Sequence, residues 1–193
     1  MSCWSCQAEV APGGPFCGCG RVQPPPGAFD PFEALGLPRA LEPGPVEEAH
    51  RRRARLLHPD RFARRSPQEQ RLALAWATRL NDARRALQRR RDRAAWLLRL
   101  RGRDPLAPGA ARDGAFLAEQ LALRERLAEG RAAGDGRAPG EIAAQALARL
   151  AAIDEELLGL LGPAEPGEEA LRAAAACLVR ARFLEALAAE AGR

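Results

Sequence analysis

Apolar residues recur every three to four positions over most of the chain, which is the period of an amphipathic helix. The clearest example follows Ser66-Pro67-Gln68-Glu69, which combines an N-cap Ser, a Pro at the first helical position and a capping-box Glu. The apolar face of the helix that begins there consists of Leu72, Trp76, Leu80, Ala83 and Leu87. This pattern predicts one long helix in the middle of the chain.

Further helices are predicted on both sides of it. An earlier one, over about 45–57, has Arg51, Arg52 and Arg55 opposite an apolar face of Val46, Ala49, Leu56 and Leu57. Three later ones lie near 112–129, 139–161 and 167–191 and are joined by Gly/Pro-rich loops, which is typical of a small antiparallel bundle. We therefore predict an all-α fold.

Composition supports this prediction and narrows the class of protein. β-branched and aromatic residues are scarce, so a core built on a β-sheet is not expected. No apolar run approaches the roughly 18 residues of a bilayer span, and no segment has the pattern of a signal peptide. We expect a cytoplasmic protein without a membrane partner, and the lack of a transit-like segment before Cys3 argues against mitochondrial import.

Charge divides the chain into modules. The 30 basic residues are all Arg, and the stretch 44–103 has a net charge of +12, whereas 104–193 has −5. Opposite charges suggest different partners for the two parts. So many Arg residues could also bind nucleic acid without sequence preference, but we expect most of them to form a solvated face and no nucleic-acid partner.

The first 20 residues contain two close cysteine pairs, Cys3 with Cys6 and Cys17 with Cys19. Two such pairs on Gly-rich turns can place four thiolates around Zn²⁺, and a head with almost no apolar core needs a metal to fold. Structural zinc is the favoured interpretation, with a redox-active or disordered head, or cluster binding, as alternatives. Cys177, within an Ala-rich run, is predicted to be a small buried residue.

The turn before the long helix reads His58-Pro59-Asp60. Pro59 ends the preceding helix, since it lacks an N–H and restrains the residue before it to extended backbone. As an isolated tripeptide it would be an ordinary helix stop.

Its context resembles the J-domain of DnaJ-type co-chaperones. The parts occur in order: the stretch Phe32 to Leu37 as a short first helix, an Arg-rich second helix, the loop, and Leu80-Asn81-Asp82-Ala83 in a long third helix. The resemblance implies that His58, Pro59 and Asp60 trigger ATP hydrolysis by a DnaK-type heat-shock ATPase. It also implies that Arg51, Arg52 and Arg55 attract that partner, as surface charge generally does.

Motifs further along resemble HscB, the J-protein family dedicated to iron–sulfur cluster assembly. They are Arg93 to Gly102, Phe116 to Glu125 and Val179 to Leu184. The resemblance covers about residues 29–193. It implies an IscU-type scaffold and an HscA- or DnaK-type ATPase as partners.

The resemblance also implies a scaffold-binding patch, formed by Leu117, Leu121, Glu125, Glu129 and Phe183. Ala118 and Ala122 stand where the family commonly has larger or more polar side chains, which suggests altered affinity or a co-adapted scaffold. In the alternative interpretation a second helix covers Leu117 and Leu121, and the protein is a J-protein with another client.

Some HscB relatives begin with a similar Cys-Trp-x-Cys head, although the second pair here is one residue shorter. No nucleophile–base pair, phosphate loop or carboxylate pair is apparent, so we predict an adaptor and not an enzyme. The predicted organisation is a zinc head at 1–22, a Pro-rich linker at 23–28, a J-domain at 29–103, a linker at 104–111 and a three-helix scaffold-binding domain at 112–193.

Overall fold

The computed structural model describes residues 2–11, 13–105, 114–162 and 165–192. The described helices are α1 (Pro31–Leu35), α2 (Val46–Leu57), α3 (Pro67–Ala86), α4 (Arg90–Leu100), α5 (Gly114–Ala132), α6 (Ala138–Leu161) and α7 (Glu168–Ala191), with a 3₁₀ helix at Pro59–Phe62. The all-α prediction is confirmed. None of the described helices combines the length and the hydropathy that a bilayer crossing needs.

The chain divides into two compact units, Met1–Arg93 and Ala94–Arg193. The linker predicted at 104–111 lies outside the described residues from residue 106 onward, and so do the first two residues of the domain predicted at 112–193. The predicted domain boundaries therefore stay predictions.

Helix α3 forms the centre of the first unit, and it begins where the capping signal predicts. The Glu69 N–H donates to Ser66 Oγ at 3.3 Å, and the Glu69 carboxylate accepts the Ser66 N–H at 3.2 Å. These bonds satisfy backbone donors that the first turn of a helix leaves free. The predicted apolar face is buried at four of its five positions, and Leu72 is half-buried; the buried four are Trp76, Leu80, Ala83 and Leu87.

Helix α2 packs against α1 and α3, and its apolar face differs from the predicted one. Ala49 and Leu57 are buried, but Leu56 is 48% exposed, so its assignment to the inner face was wrong. Arg53 lies midway between the two buried residues and donates to the Glu33 and Ala34 carbonyls at the end of α1, at 3.1 and 2.8 Å. Because the guanidinium satisfies carbonyls that the helix end leaves free, an Arg replaces an apolar residue there.

The second unit contains the predicted bundle of α5, α6 and α7. Arg131, at the end of α5, donates to the Glu190 carbonyl at the end of α7 at 2.6 Å, so these two helices run in the same direction. Helix α6 begins six residues after α5 ends, and Arg149, midway along α6, pairs with Glu119 near the start of α5, so α6 runs back along α5 and is antiparallel to both. Buried residues recur at every third or fourth position of these helices and form the core, as the predicted periodicity requires. Cys177 is fully buried within it, as predicted.

Candidate functional site

Each of the two cysteine pairs lies in a tight turn that an isolated antiparallel β-bridge closes. Ser2 pairs with Glu9 around the first turn, and Phe16 pairs with Val22 around the second. The Trp4 indole N–H donates to the Val22 carbonyl at 2.7 Å and joins the first turn to the second. The two turns therefore face each other across a small gap that their cysteines line.

The four sulfur atoms form a compact cluster, all within 4.8 Å of one another. Cys3 Sγ lies 3.8 Å from Cys19 Sγ, and Cys6 Sγ lies 3.6 Å from Cys17 Sγ. Zn–S bonds of about 2.3 Å in a tetrahedron place the sulfur atoms about 3.8 Å apart, so these distances fit a four-thiolate metal site. The cluster could hold a metal ion, as the spacing of the cysteines predicts.

The pKa values of the thiols move in opposite directions. Burial raises the pKa of Cys3, but hydrogen bonds from the backbone of Cys6 and Ser5 and from neighbouring thiols outweigh it and lower the pKa to about 6. The backbone of Ala8 lowers the pKa of Cys6, but the other three thiols raise it to about 12. Four thiols this close cannot all ionise without a cation, and a bound metal ion supplies one.

The segment predicted as a linker, residues 23–28, packs against α3. Trp76 Nε1 donates to the Gln23 carbonyl at 2.7 Å, and the Arg79 guanidinium donates to the Pro26 and Ala28 carbonyls at 2.7 and 3.2 Å. These bonds fix the segment to the helix because they use carbonyls that Pro-rich backbone leaves free. The head and α3 thus belong to one compact unit.

A buried carboxylate connects the head to the start of α3. Arg21 Nη1 lies 2.8 Å from Glu69 Oε2, and the Glu69 side chain is 3% exposed. Burial alone would raise the pKa of Glu69, but hydrogen bonds from Ser66 and Arg21 lower it below its usual value. Glu69 therefore stays ionised and serves both the helix cap and the head.

The His58-Pro59-Asp60 loop is exposed and is braced by a hydrogen bond within it and by a buried neighbour. His58 ends α2 in extended backbone, and its Nδ1 accepts the Asp60 N–H at 3.3 Å. The two side chains are 57% and 90% exposed, whereas Phe62, at the end of the 3₁₀ helix, is buried and anchors the loop. The loop presents an imidazole and a carboxylate to solvent.

A shallow basic groove runs beside this loop. Arg51 and Arg55 line it together with His50, Ala54, His58 and Arg61. Arg52 is exposed on the same helix, and Arg53 is engaged with α1. The structure therefore places two of the three predicted docking arginines next to the loop, in a groove of positive charge.

The four predicted scaffold-binding residues of α5 follow one another at intervals of four, so they form one line along the helix. Leu117 is 41% exposed and Leu121 is 59% exposed, and Glu125 and Glu129 are exposed as well. Gln120, Leu123 and Leu127 form the buried face instead. Among the residues that the structure describes, no second helix covers the two leucines, and both are exposed.

Phe183, the fifth predicted residue of the patch, belongs to α7 and is half-buried. Its ring packs edge-on against Phe116, with centroids 5.9 Å apart. Because Phe116 directly precedes Leu117, the aromatic pair lies at the end of α5 where the line of exposed residues begins. The assignment of these residues to a partner stays a prediction.

Sequence reasoning missed several residues that position these sites. Gln23 and Glu69 join the cysteine head to α3, and Arg53 joins α2 to α1. Gln23 meets partners 20 and 53 positions away. No local signal marks it. For Glu69 the capping box was visible, but its contact with Arg21 was not.

Comparison with known proteins reveals related chains over most of this length. The family model described as the HSCB C-terminal oligomerisation domain matches residues 112–192. The co-chaperone protein HscB homolog of Ralstonia nicotianae is 41% identical over 133 residues, which cover 67% of this chain and 76% of that protein. The co-chaperone protein HscB homolog of Burkholderia vietnamiensis is 35% identical over 164 residues, which cover 83% and 91%.

A solved structure resembles the whole fold. The crystal structure of human co-chaperone protein HscB matches with a TM-score of 0.82 at 23% identity, and the match covers 100% of this chain and 97% of that one. At this identity the likeness is one of fold.

Proposed function

The chain belongs to the HscB family of co-chaperones, and on that premise we propose that it is an adaptor in iron–sulfur cluster assembly. It binds a scaffold of the IscU type and brings it to a heat-shock ATPase of the HscA or DnaK type. It then stimulates ATP hydrolysis by that ATPase, so that the cluster passes from the scaffold to acceptor proteins. The hydrolytic chemistry belongs to the partner, and this chain contributes binding and positioning.

The observation that carries this proposal is the exposed His58-Pro59-Asp60 loop beside an arginine-lined groove. Arg51, Arg52 and Arg55 attract an acidic surface of the ATPase over a distance and orient it, which raises the rate of association more than the affinity. His58 and Asp60 then contact the ATPase directly. Because Phe62 anchors the loop, its backbone loses little freedom on binding.

The line of α5 residues supports the scaffold half of the proposal. Leu117 and Leu121 offer exposed apolar area, and Glu125 and Glu129 extend the line with negative charge. Phe183 adds the edge of an aromatic ring from α7. An apolar centre with a charged margin is the usual composition of a protein interface. We propose that residues 112–193 hold the scaffold while residues 29–103 act on the ATPase.

The four cysteines would hold Zn²⁺ in a structural site, with Cys3, Cys6, Cys17 and Cys19 as ligands. Four thiolates close the coordination shell, which is typical of structural zinc and leaves no position for a substrate. When bound, the ion cross-links the two turns of the head. The site requires reduced thiols, which the cytoplasm maintains, and this supports the cytoplasm as the compartment.

Single-turnover ATP hydrolysis by the cognate ATPase tests the proposal. We expect stimulation by this protein, and greater stimulation when an IscU-type scaffold is also present. His58→Gln should abolish both effects without changing the thermal unfolding temperature, because the side chain is exposed. Stimulation that persists in His58→Gln would contradict the assignment of the loop. Stimulation that is the same with and without the scaffold would indicate a J-protein with a different client.

A further inference from the structure

Gln23 lies between the cysteine head and α3, and it is fully buried. Its side-chain Nε2 donates to Cys3 Sγ at 3.3 Å and to the Arg21 carbonyl at 2.9 Å. Its backbone carbonyl accepts the Trp76 indole N–H at 2.7 Å. One residue thus contacts a cysteine of the cluster through its side chain and the core of α3 through its backbone.

The burial of this amide has a cost. In the part of the chain that the structure describes, Gln23 Oε1 has no hydrogen-bond partner. A buried polar atom left unpaired destabilises a fold, and an apolar side chain of similar shape would avoid that cost. The Arg21 carbonyl also accepts the Cys17 N–H at 3.0 Å, so it does not depend on Gln23. Cys3 Sγ also accepts the Ser5 N–H at 3.4 Å from within its own turn, and the Gln23 amide adds an N–H···S bond that joins Cys3 to a residue outside that turn.

We propose that Gln23 is a positioning residue that couples metal binding by the four cysteines to helix α3. Its amide N–H donates to Cys3 Sγ and orients it within the cluster, as outer-shell hydrogen bonds orient metal ligands generally. Its carbonyl, held by Trp76, fixes that amide to the core of the first unit. The inference rests on the proposed metal role of the cysteines and adds the contacts through which metal binding affects α3.

Coupling of this kind is reciprocal, because two equilibria linked in one molecule change each other by the same factor. A metal ion that holds Cys3 therefore stabilises α3, the helix that follows the His58-Pro59-Asp60 loop. Conversely, a change in the core of α3 at Trp76 alters metal affinity, although the Trp76 side chain is not a ligand. That second consequence distinguishes coupling from simple structural support.

The test measures the Zn²⁺ affinity of the full chain by competition with a chromogenic chelator, alongside thermal unfolding of the metal-free protein. Gln23→Met keeps the volume, removes the unpaired oxygen and removes the N–H. We expect about tenfold weaker Zn²⁺ binding, the lower end of the loss typical of outer-shell partners, with no fall in the unfolding temperature of the metal-free protein. Trp76→Phe, which removes the indole N–H, should weaken Zn²⁺ binding several-fold.

Leu80→Val is the matched control, since Leu80 lies one turn further along α3 and is 1% exposed. It should lower the unfolding temperature and leave Zn²⁺ affinity unchanged. Unchanged affinity in Gln23→Met, or equal losses in Trp76→Phe and Leu80→Val, would overturn the coupling while the metal role stands. A wild-type chain that binds no Zn²⁺ would overturn the metal role itself and the coupling with it.

Discussion

Replacing both exposed leucines of α5 with Ala should weaken scaffold binding and, for each residue, cost the fold less stability than truncating a buried leucine, because much of the area of each is exposed. Full burial of a Leu side chain gains about 1.5–3 kcal/mol, and Leu117 and Leu121 have 41% and 59% of their area still exposed. Covering that remaining area is worth about 1 kcal/mol for each residue. Leu117→Ala/Leu121→Ala should therefore lose about 2 kcal/mol of binding, or about thirtyfold in Kd.

Calorimetric titration with an IscU-type scaffold measures the loss, and urea unfolding measures the stability. Leu147→Ala is the matched control, because Leu147 is also 59% exposed but lies on α6. Its scaffold affinity should not change. Leu127→Ala, at a fully buried position of α5, should instead cost about 2–5 kcal/mol of stability. Unchanged affinity in the double variant, or an equal loss in Leu147→Ala, would refute the patch.

Three further predictions concern the first unit. Because the pKa of Glu69 is lowered in the folded protein, its charge stabilises the fold at pH values above the pKa of the unfolded chain, and this stabilisation is lost as the pH falls through the folded-state pKa. Glu69→Gln should therefore lower the free energy of unfolding by about 1–2 kcal/mol near pH 7, as measured with urea. A difference between wild type and variant that does not shrink towards acid pH would contradict this. Free Zn²⁺ at 100 times its Kd should add about 2.7 kcal/mol, or about 10 °C of unfolding temperature, and a chelator should remove that gain in calorimetry. Gly36→Ala should cost about 1–2 kcal/mol in urea unfolding, since φ is +66° and a Cβ there would lie 2.5 Å from the Arg53 guanidinium; wild-type stability would contradict it.

Short-range patterns predicted most of the fold, because capping and periodicity depend on residues close together in sequence. Ser66 and Glu69 marked the start of α3, and the spacing of Trp76, Leu80 and Ala83 marked its buried face. The assignment of Leu56 to the apolar face of α2 was wrong because the inner face of that helix depends on contacts between residues far apart in sequence. The inner position of α2 belongs to Arg53, whose partners lie on α1 about 20 positions away, and periodicity does not register such a contact.

The candidate sites show the same contrast between features set by residues close in sequence and contacts between residues far apart. Cysteine spacing predicted the cluster, because each pair lies within one turn. Periodicity left the exposure of Leu117 open, because a helix has more than one apolar face and sequence does not say which face a neighbour covers. The contact of the head with α3 was not predictable, since Arg21 and Glu69 are 48 positions apart and the capping box that contains Glu69 does not indicate a partner in the head.

Burial also decides which sites can be changed without unfolding the protein. His58 and Asp60 are exposed, so variants there should change the proposed interaction with the ATPase and have little effect on the free energy of unfolding. Cys3 and Cys17 are buried, and Cys3 receives the Gln23 amide that is anchored on α3. Cysteine variants should therefore lose metal and stability together. It follows that the contribution of the head to activity is best measured with Gln23→Met, which leaves all four thiols in place, and not with cysteine substitutions.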